Sequence, residues 1–221
     1  AGAVCIPLDP KLADQDWQLY LKQFRVDALL ISARSGSMAR QAAGELGVQV
    51  VQLVTARNRP AGTFELLTDN AAPPLDMCLP QLEHDAFVLP TSGTTSWPKA
   101  VPLTHLNIYH SSMNTSSALQ LSADDRLLSV LPLFHAHGLI SGLLSSLCTG
   151  SGVVVMRRFD AAEFFTLLDE FRPTWYTAVP AIHQSITREA SHQAGTVRDH
   201  SLRLIRSASA PMPREVIASL E

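Results

Sequence analysis

The sequence predicts an α/β fold, with parallel or mixed sheets and flanking helices, on three observations. Short apolar runs rich in β-branched residues alternate with helical periods. Helix-capping residues stand at the junctions, and the alternation breaks at one place only. The apolar residues Trp17, Leu19, Tyr20, Leu21 and Phe24 mark a helix from about Asp14 to Phe24, and Ala28 to Ile31 reads as a strand. A helix over Ser37–Leu46 and a strand over Val48–Val54 follow. Asn58–Pro80 holds four prolines and little periodicity, so it reads as a meandering connection. Beyond it, Ala86–Leu89 is a strand and Thr104 an N-cap for a helix to about Leu119. Leu127–Leu131 and Gly152–Met156 read as strands around a small-residue helix ending near Cys148. Asp160, with Glu163 three residues on, caps a helix to Phe171. Trp175–Ala178, Pro180–Glu189, Leu202–Ser207 and Pro213 onward complete strand, helix, strand, helix.

Composition narrows the function. The 221 residues are 46% hydrophobic and 17% charged, with a formal charge of −3, so no basic field draws in nucleic acid. The most apolar stretch, Leu139–Met156, is broken by Gly142, Gly150 and Gly152, and reads as a helix plus a strand, not a membrane span. Cys5, Cys78 and Cys148 are odd in number and far apart, which predicts buried free thiols in a reducing compartment. A cytoplasmic setting is expected, with the peroxisome as the alternative. Both ends look cut: the chain opens without Met inside an apolar run and stops inside a helical pattern. The sequence sets no oligomeric state.

The segment with most chemistry is Thr91-Ser92-Gly93-Thr94-Thr95-Ser96-Trp97-Pro98-Lys99. Five hydroxyls crowd around one glycine directly after an apolar strand, with Lys99 closing the run. Polyphosphate is an array of acceptor oxygens; hydroxyls and backbone N–H groups on a turning loop supply donors, and the lysine supplies charge. Ligands of open α/β sheets bind at strand C-termini, where this loop stands. A solvated Ser/Thr linker is the bland reading. The GxxxxGK[ST] loop of kinases and GTPases fails here, because Pro98 precedes Lys99 and Ala100 follows it. A hydrolase nucleophile elbow fails too, because Ser92-Gly93 lacks the preceding glycine spacing.

Thr91 to Val101 resembles the phosphate loop T-S-G-T-T-G-x-P-K-G-V of the acyl-adenylate-forming (AMP-binding) superfamily. Two positions depart: Ser96 and Ala100 replace glycines, and Ala100 tightens the backbone. Leu131-Pro132-Leu133-Phe134-His135-Ala136-His137-Gly138-Leu139 is similar to the aromatic-His motif bordering that family's acyl pocket. Pro173–Pro180 resembles the strand entering beneath it. Arg206-Ser207-Ala208-Ser209-Ala210-Pro211-Met212 resembles the S-G-A-A-P-L segment against adenine and acyl group. Ser96, the His-x-His motif and R-S-x-S-A are most similar to the oxalate–CoA ligase branch.

This resemblance implies ATP-dependent activation of a carboxylic acid, oxalate or another small acid, to an acyl-adenylate and then a coenzyme A thioester. Thr91, Ser92, Gly93, Thr94, Thr95, Ser96 and Lys99 would hold ATP, and Ser209, Ala210 and Pro211 would border the nucleotide. Lys99 and His135 would be catalytic, with His135, His137 and Ser209 lining the acid pocket. Mg2+ is expected, with its ligand mostly outside the chain; no metal site is expected within it. His135 and His137 as a zinc pair lack a third ligand nearby. Plain structural roles remain the alternative for both histidines, and close packing for Ser209. His183 is expected to be a partly exposed structural residue, with a place on the pocket wall as the alternative, His105 to start a helix, and His84, His110, His192 and His200 to lie at the surface.

The resemblance also implies parts of two flavodoxin-like subdomains of a larger adenylating N-terminal domain: 1–80 the first with its connection, 81–221 the second, the C-terminal domain absent. A chain so divided would be inactive alone. Two alternatives stay open: a non-catalytic nucleotide-binding relative, and an adenylation domain that loads a carrier protein.

Overall fold

The computed structural model describes residues 2–33, 37–56, 58–60, 62–68, 79–91 and 99–220. They form an α/β protein with one mixed sheet, one parallel sheet and a two-stranded ribbon, flanked by helices. Two compact units separate: Leu8–Pro80 with Pro90–Val101, and Ala3–Pro7, Gln81–Leu89 and Pro102–Glu221. Among the described residues no helix is long and apolar enough to cross a membrane.

In the first unit α1 (Asp14–Gln23), β1 (Ala28–Ser32), α2 (Ser37–Leu46) and β2 (Gln49–Val54) follow the predicted order. Parallel pairing of β1 with β2 sets Leu29 opposite Val50. Leu29 packs with Trp17 and Leu21 of α1 and with Ala39, Ala42 and Ala43 of α2, whose small side chains let the helix approach closely. Gly47, at φ 69°, ends α2 in the left-handed conformation that glycine adopts without a Cβ penalty. The expected meander from Asn58 contains a further strand, β3 (Glu65–Thr68), antiparallel to β2. All four of its residues are exposed, so ladder bonds hold it and no buried face left an alternation to read.

A two-stranded ribbon pairs β4 (Asp85–Thr91) with β5 (Lys99–Thr104). β5 was not expected as a strand; Pro102 cannot donate to a ladder, which suits it to a two-stranded edge. Thr104 caps α3 (His105–Ala118): its hydroxyl accepts from Asn107 N–H while the Asn107 side chain accepts from Thr104 N–H, both at 3.1 Å. The parallel sheet runs in the order β7 (Gly152–Val155), β6 (Arg126–Ser129), β8 (Trp175–Ala178), β9 (Leu204–Ser207). Between β6 and β7 lie a helical stretch of wide π-type turns, His137–Leu144, and the short α4 (Ser145–Cys148). One sheet face carries Leu128, Tyr176 and Ala178 against Phe164, Phe165 and Leu168 of α5 (Ala161–Phe171) and Ile186 of α6 (Pro180–Ala190). Asp160 caps α5 as predicted, its carboxylate accepting from Ala162 and Glu163 N–H at 3.0 Å. An unpredicted five-residue helix, α7 (Ala194–Arg198), buries nothing, and α8 (Arg214–Leu220) closes the described chain.

Asp125 fastens the starts of three parallel strands. Its carboxylate accepts from Arg203 Nε at 2.8 Å and Nη2 at 2.7 Å, from Thr174 Oγ1 at 2.7 Å and from Ser122 N–H at 2.9 Å. The same Thr174 oxygen accepts from Arg126 N–H at 2.9 Å, and Thr174 C=O accepts from Arg203 N–H at 2.7 Å. Residues 125, 174 and 203 each directly precede or nearly precede β6, β8 and β9, so one buried carboxylate sets their mutual level.

Two sequence expectations are overturned. Cys5 and Cys148 are exposed. Cys5 forms a single backbone bridge to Phe87 and partial burial pushes its thiol pKa up, and Cys148 is the last residue of α4. Cys78 lies outside the described residues. His183 is fully buried, not partly exposed, because α6 turns it inward against Tyr176.

The Arg203 hydrogen bonds hold the Asp125 carboxyl well below the usual carboxylate range, against the opposing effect of burial. A depressed carboxylate stabilises the fold above the unfolded value of 3.8, and the contribution is lost as acid titrates the native carboxyl. Arg203 is half-exposed, so solvent screens the pair and Asp125→Asn is expected to cost about 1–3 kcal/mol in urea unfolding at pH 7. The deficit should shrink as the pH falls below the carboxylate range. A variant as stable as the parent would show that the clasp does not hold the strands.

Candidate functional site

Strand parity decides which side chains meet. On β8, Tyr176 and Ala178 face α5 and α6, so Trp175 and Thr177 face the π-type helix. The Thr177 Cγ2 and Leu127 Cδ2 atoms lie 3.7 Å from where a Cβ on Gly142 of that helix would stand. Thr177 pairs in register with Arg206 of β9, which therefore shares its face. The loop after β6 turns into the helix through Gly138, where a Cβ would come within 2.5 Å of Pro132 C=O; only glycine permits that approach. His137, the first residue of the helix, is thereby delivered onto Thr177 and Arg206.

A cleft of about 370 Å³ opens at this C-terminal sheet edge, lined by Leu131, Pro132, His135, His137, Val179 and Ser209 among others. Its walls are mostly apolar and its polar groups cluster around one imidazole. His137 Nδ1 lies 3.0 Å from Ser209 Oγ, and Nε2 lies 2.7 Å from Thr177 Oγ1 and 3.1 Å from Arg206 Nη1. The same Arg206 nitrogen donates to Thr177 Oγ1 at 3.1 Å. Burial, then the Arg206 charge and then His183, push His137 down to about 4, so its ring is neutral at neutral pH. Burial also lowers Arg206, which remains cationic because arginine starts so high. Ser209 stands at φ 74°, a conformation costing a non-glycine residue about 1–3 kcal/mol.

The residues singled out in the sequence fall into two groups. His135, His137 and Ser209 come together on the cleft. His135 is exposed, with its ring 4.5 Å from that of Phe134, whereas His137 is the hydrogen-bonded one. Ala210 and Pro211 continue the exposed loop after Ser209. Thr91 and Lys99 end β4 and begin β5, with Thr91 Oγ1 donating to Lys99 C=O at 3.5 Å. Ser92, Gly93, Thr94, Thr95 and Ser96 lie outside the described residues. Among the described residues no group of three or more His, Cys, Asp or Glu side chains is placed to hold a metal ion. His84, His110, His192 and His200 are at the surface, and His105 opens α3.

Arg206, Thr177 and Tyr176 stood in the sequence only as members of motifs, with no task of their own, and His183 was read as a partly exposed or pocket-lining residue, not as the buried partner of Tyr176. The Tyr176 hydroxyl lies 3.1 Å from His183 Nδ1, and both are buried beneath the sheet. His183 Nε2 makes no well-formed hydrogen bond among the described residues, and burial lowers the pKa of its ring against the opposing pull of the Arg206 and Ala178 backbones. The legible signal for Arg206 was a lone arginine on an apolar strand, Leu204-Ile205-Arg206, one residue before the Ser/Ala segment.

A profile of the AMP-binding enzyme family matches residues 1–221. An oxalate–CoA ligase of Arabidopsis thaliana is 37% identical over 228 residues, covering 100% of this chain and 43% of its own length. A sulfoacetate–CoA ligase of Cupriavidus necator is 36% identical across 80% of the chain and 33% of its own length. Among solved structures, a malonyl-CoA ligase in a ternary product complex with methylmalonyl-CoA and AMP superposes with a TM-score of 0.78 at 25% identity, over 99% of this chain and 44% of that one. The chain thus spans less than half the length of each of these three proteins.

The lowered histidine gives a pH signature. The unfolded ring takes up a proton near 6.5 and the native ring only near 4, so the site's contribution to stability is whole above 6.5 and declines as the pH falls between the two values. Histidine NMR titration should place the His137 midpoint near 4, with no change of its ring signals between pH 5.5 and 7.5. A midpoint close to 6.5 would contradict the buried, Arg206-facing ring.

Proposed function

The chain belongs to the AMP-binding enzyme family, and from that premise we propose that the protein carrying it joins a small, doubly anionic carboxylic acid, oxalate or a close analogue, to coenzyme A at the expense of ATP. In the first half-reaction a carboxylate oxygen bonds to the α-phosphorus of ATP as the bond to pyrophosphate breaks, giving an acyl-adenylate. In the second, the coenzyme A thiol bonds to the acyl carbon and AMP leaves. Three relatives are named for acids with two anionic groups or their thioesters: oxalate, sulfoacetate and malonate.

The observation that carries the acid assignment is the polar head of the cleft. A long acyl chain asks for an apolar pocket throughout, whereas a second carboxylate asks for donors. Ser209 supplies a hydroxyl on the cleft wall and Arg206 a cation behind it. His135, exposed on the same wall, donates to the reacting acid in this reading. Lys99 and the hydroxyls of residues 91–96 orient the β- and γ-phosphates and stabilise charge on departing pyrophosphate. Ala210 and Pro211 border the nucleotide. Mg2+ would accompany ATP, with its protein ligand mostly outside this chain, and would neutralise charge on the phosphates.

The two compact units are, in this reading, parts of two subdomains of the adenylating domain, and the complete reaction belongs to the whole protein. The chain alone is expected to bind nucleotide weakly and not to turn over. Pyrophosphate release by the whole protein, measured with oxalate, acetate, a medium-chain fatty acid and a coumarate-like acid, tests the proposal. Oxalate should give the strongest signal. Lys99→Ala should lower the rate by about 10- to 100-fold, the scale of a lost charge-stabilising donor, and His135→Ala should weaken it as well. A flat response to oxalate with turnover of the fatty acid would refute the acid assignment.

A further inference from the structure

We infer that Arg206 is a positioning residue: it fixes which nitrogen of His137 carries the proton, and thereby turns the Ser209 hydroxyl hydrogen into the cleft as a donor for an anionic group. The inference rests on the proposed acid site and adds how that site is wired.

Donor and acceptor inventory fixes the tautomer. A guanidinium has N–H groups and no usable lone pair. Arg206 Nη1 stands 3.1 Å from His137 Nε2, so a proton on Nε2 would oppose N–H to N–H at contact distance. The stable arrangement leaves Nε2 as the lone-pair nitrogen. Thr177 fits it, with its oxygen accepting from Arg206 Nη1 and its hydroxyl hydrogen directed to Nε2 at 2.7 Å. A neutral imidazole carries one proton, and with Nε2 bare that proton sits on Nδ1. Nδ1–H then donates to Ser209 Oγ at 3.0 Å.

Ser209 cannot also donate to that nitrogen, so its own hydrogen is free to point elsewhere. Ser209 lines the cleft and is exposed, so with its oxygen accepting from the ring at 3.0 Å its hydroxyl hydrogen is free to rotate toward the cleft. Were the tautomer reversed, Ser209 would spend its hydrogen on Nδ1 and present only lone pairs to an incoming anion. The ring is thus a relay of polarity: a half-buried cation at one end becomes an outward donor at the other, with no proton transferred. Free histidine slightly favours the Nε2–H form, so the reversed state is what the ring would adopt without Arg206.

The test uses the whole protein labelled with 15N-histidine, at pH 7, as wild type, Arg206→Met and Arg206→Lys. In the wild type the His137 nitrogen shifts should report protonated Nδ1 and bare Nε2. Arg206→Met should shift the ring mainly to the Nε2–H form. It should also raise the KM for oxalate about tenfold, the scale of one lost hydrogen bond to a charged group, with the KM for ATP unchanged within about twofold. Arg206→Lys keeps a cationic donor and should retain the Nδ1–H form with a KM within about threefold of wild type. Protonated Nε2 in the wild type would overturn the inference even if Arg206→Met failed to fold. An Arg206→Met ring that keeps Nδ1–H while oxalate binding collapses would overturn it as well, since the arginine would then act on the acid by charge alone. If no small acid supports pyrophosphate release, the reading of the site falls, while the tautomer measurement still decides the wiring.

Discussion

One buried carboxylate governs the level at which the parallel strands of the larger unit run. Asp125 binds Thr174 ahead of β8 and Arg203 ahead of β9, and itself directly precedes β6. A strand slipping by one residue would swap its faces, and this clasp ties three strands at their starts. The bidentate arginine contributes geometric specificity as well as energy, because its two N–H groups match only one placement of the carboxylate. That anchoring sets the register in which β8 and β9 reach the opposite end of the sheet.

At that end the same register sets Thr177 beside Arg206 on the face opposite the α5–α6 core. His137 arrives from another direction, on a helix whose entry is squeezed past Pro132 at Gly138 and whose wide turns are of the kind often found at functional positions. The site therefore combines a rigid half, supplied by two strands, with a half supplied by one tight turn. A neutral imidazole between an arginine and a serine is favourable there because burial and the nearby cation both oppose its protonation. The strained Ser209 backbone is a local cost that the imidazole contact helps to offset.

Much of the fold was legible because its helices announce their ends chemically. Thr104 and Asp160 cap where the sequence says they must, and α2 has the predicted bounds. The missed pieces lack a buried face: β3 is exposed throughout, α7 buries nothing, and β5 belongs to a two-stranded ribbon. Periodicity reports burial, so elements held by backbone bonds alone leave no trace in it. The π-type turns were read as ordinary helix, since His137–Leu144 is mostly apolar on every side. In the candidate site, His135, His137 and Ser209 were visible as motif residues. Arg206 was visible only as the first letter of a motif; its contact with the imidazole depends on strand register and on which face of β9 it occupies, and neither can be read along one chain. His183 looked polar enough for the surface; the Tyr176 hydroxyl that accompanies it inside comes from a strand seven residues earlier.

The account centres on the cleft beside His137 as the place where a small acid puts its second anionic group. A crystal structure of the whole protein with oxalate and a non-hydrolysable ATP analogue addresses this most directly. The account predicts one carboxylate oxygen within hydrogen-bond distance of Ser209 Oγ and the other carboxylate turned toward the α-phosphorus. Oxalate bound away from Ser209, with the ring and serine untouched, would contradict it.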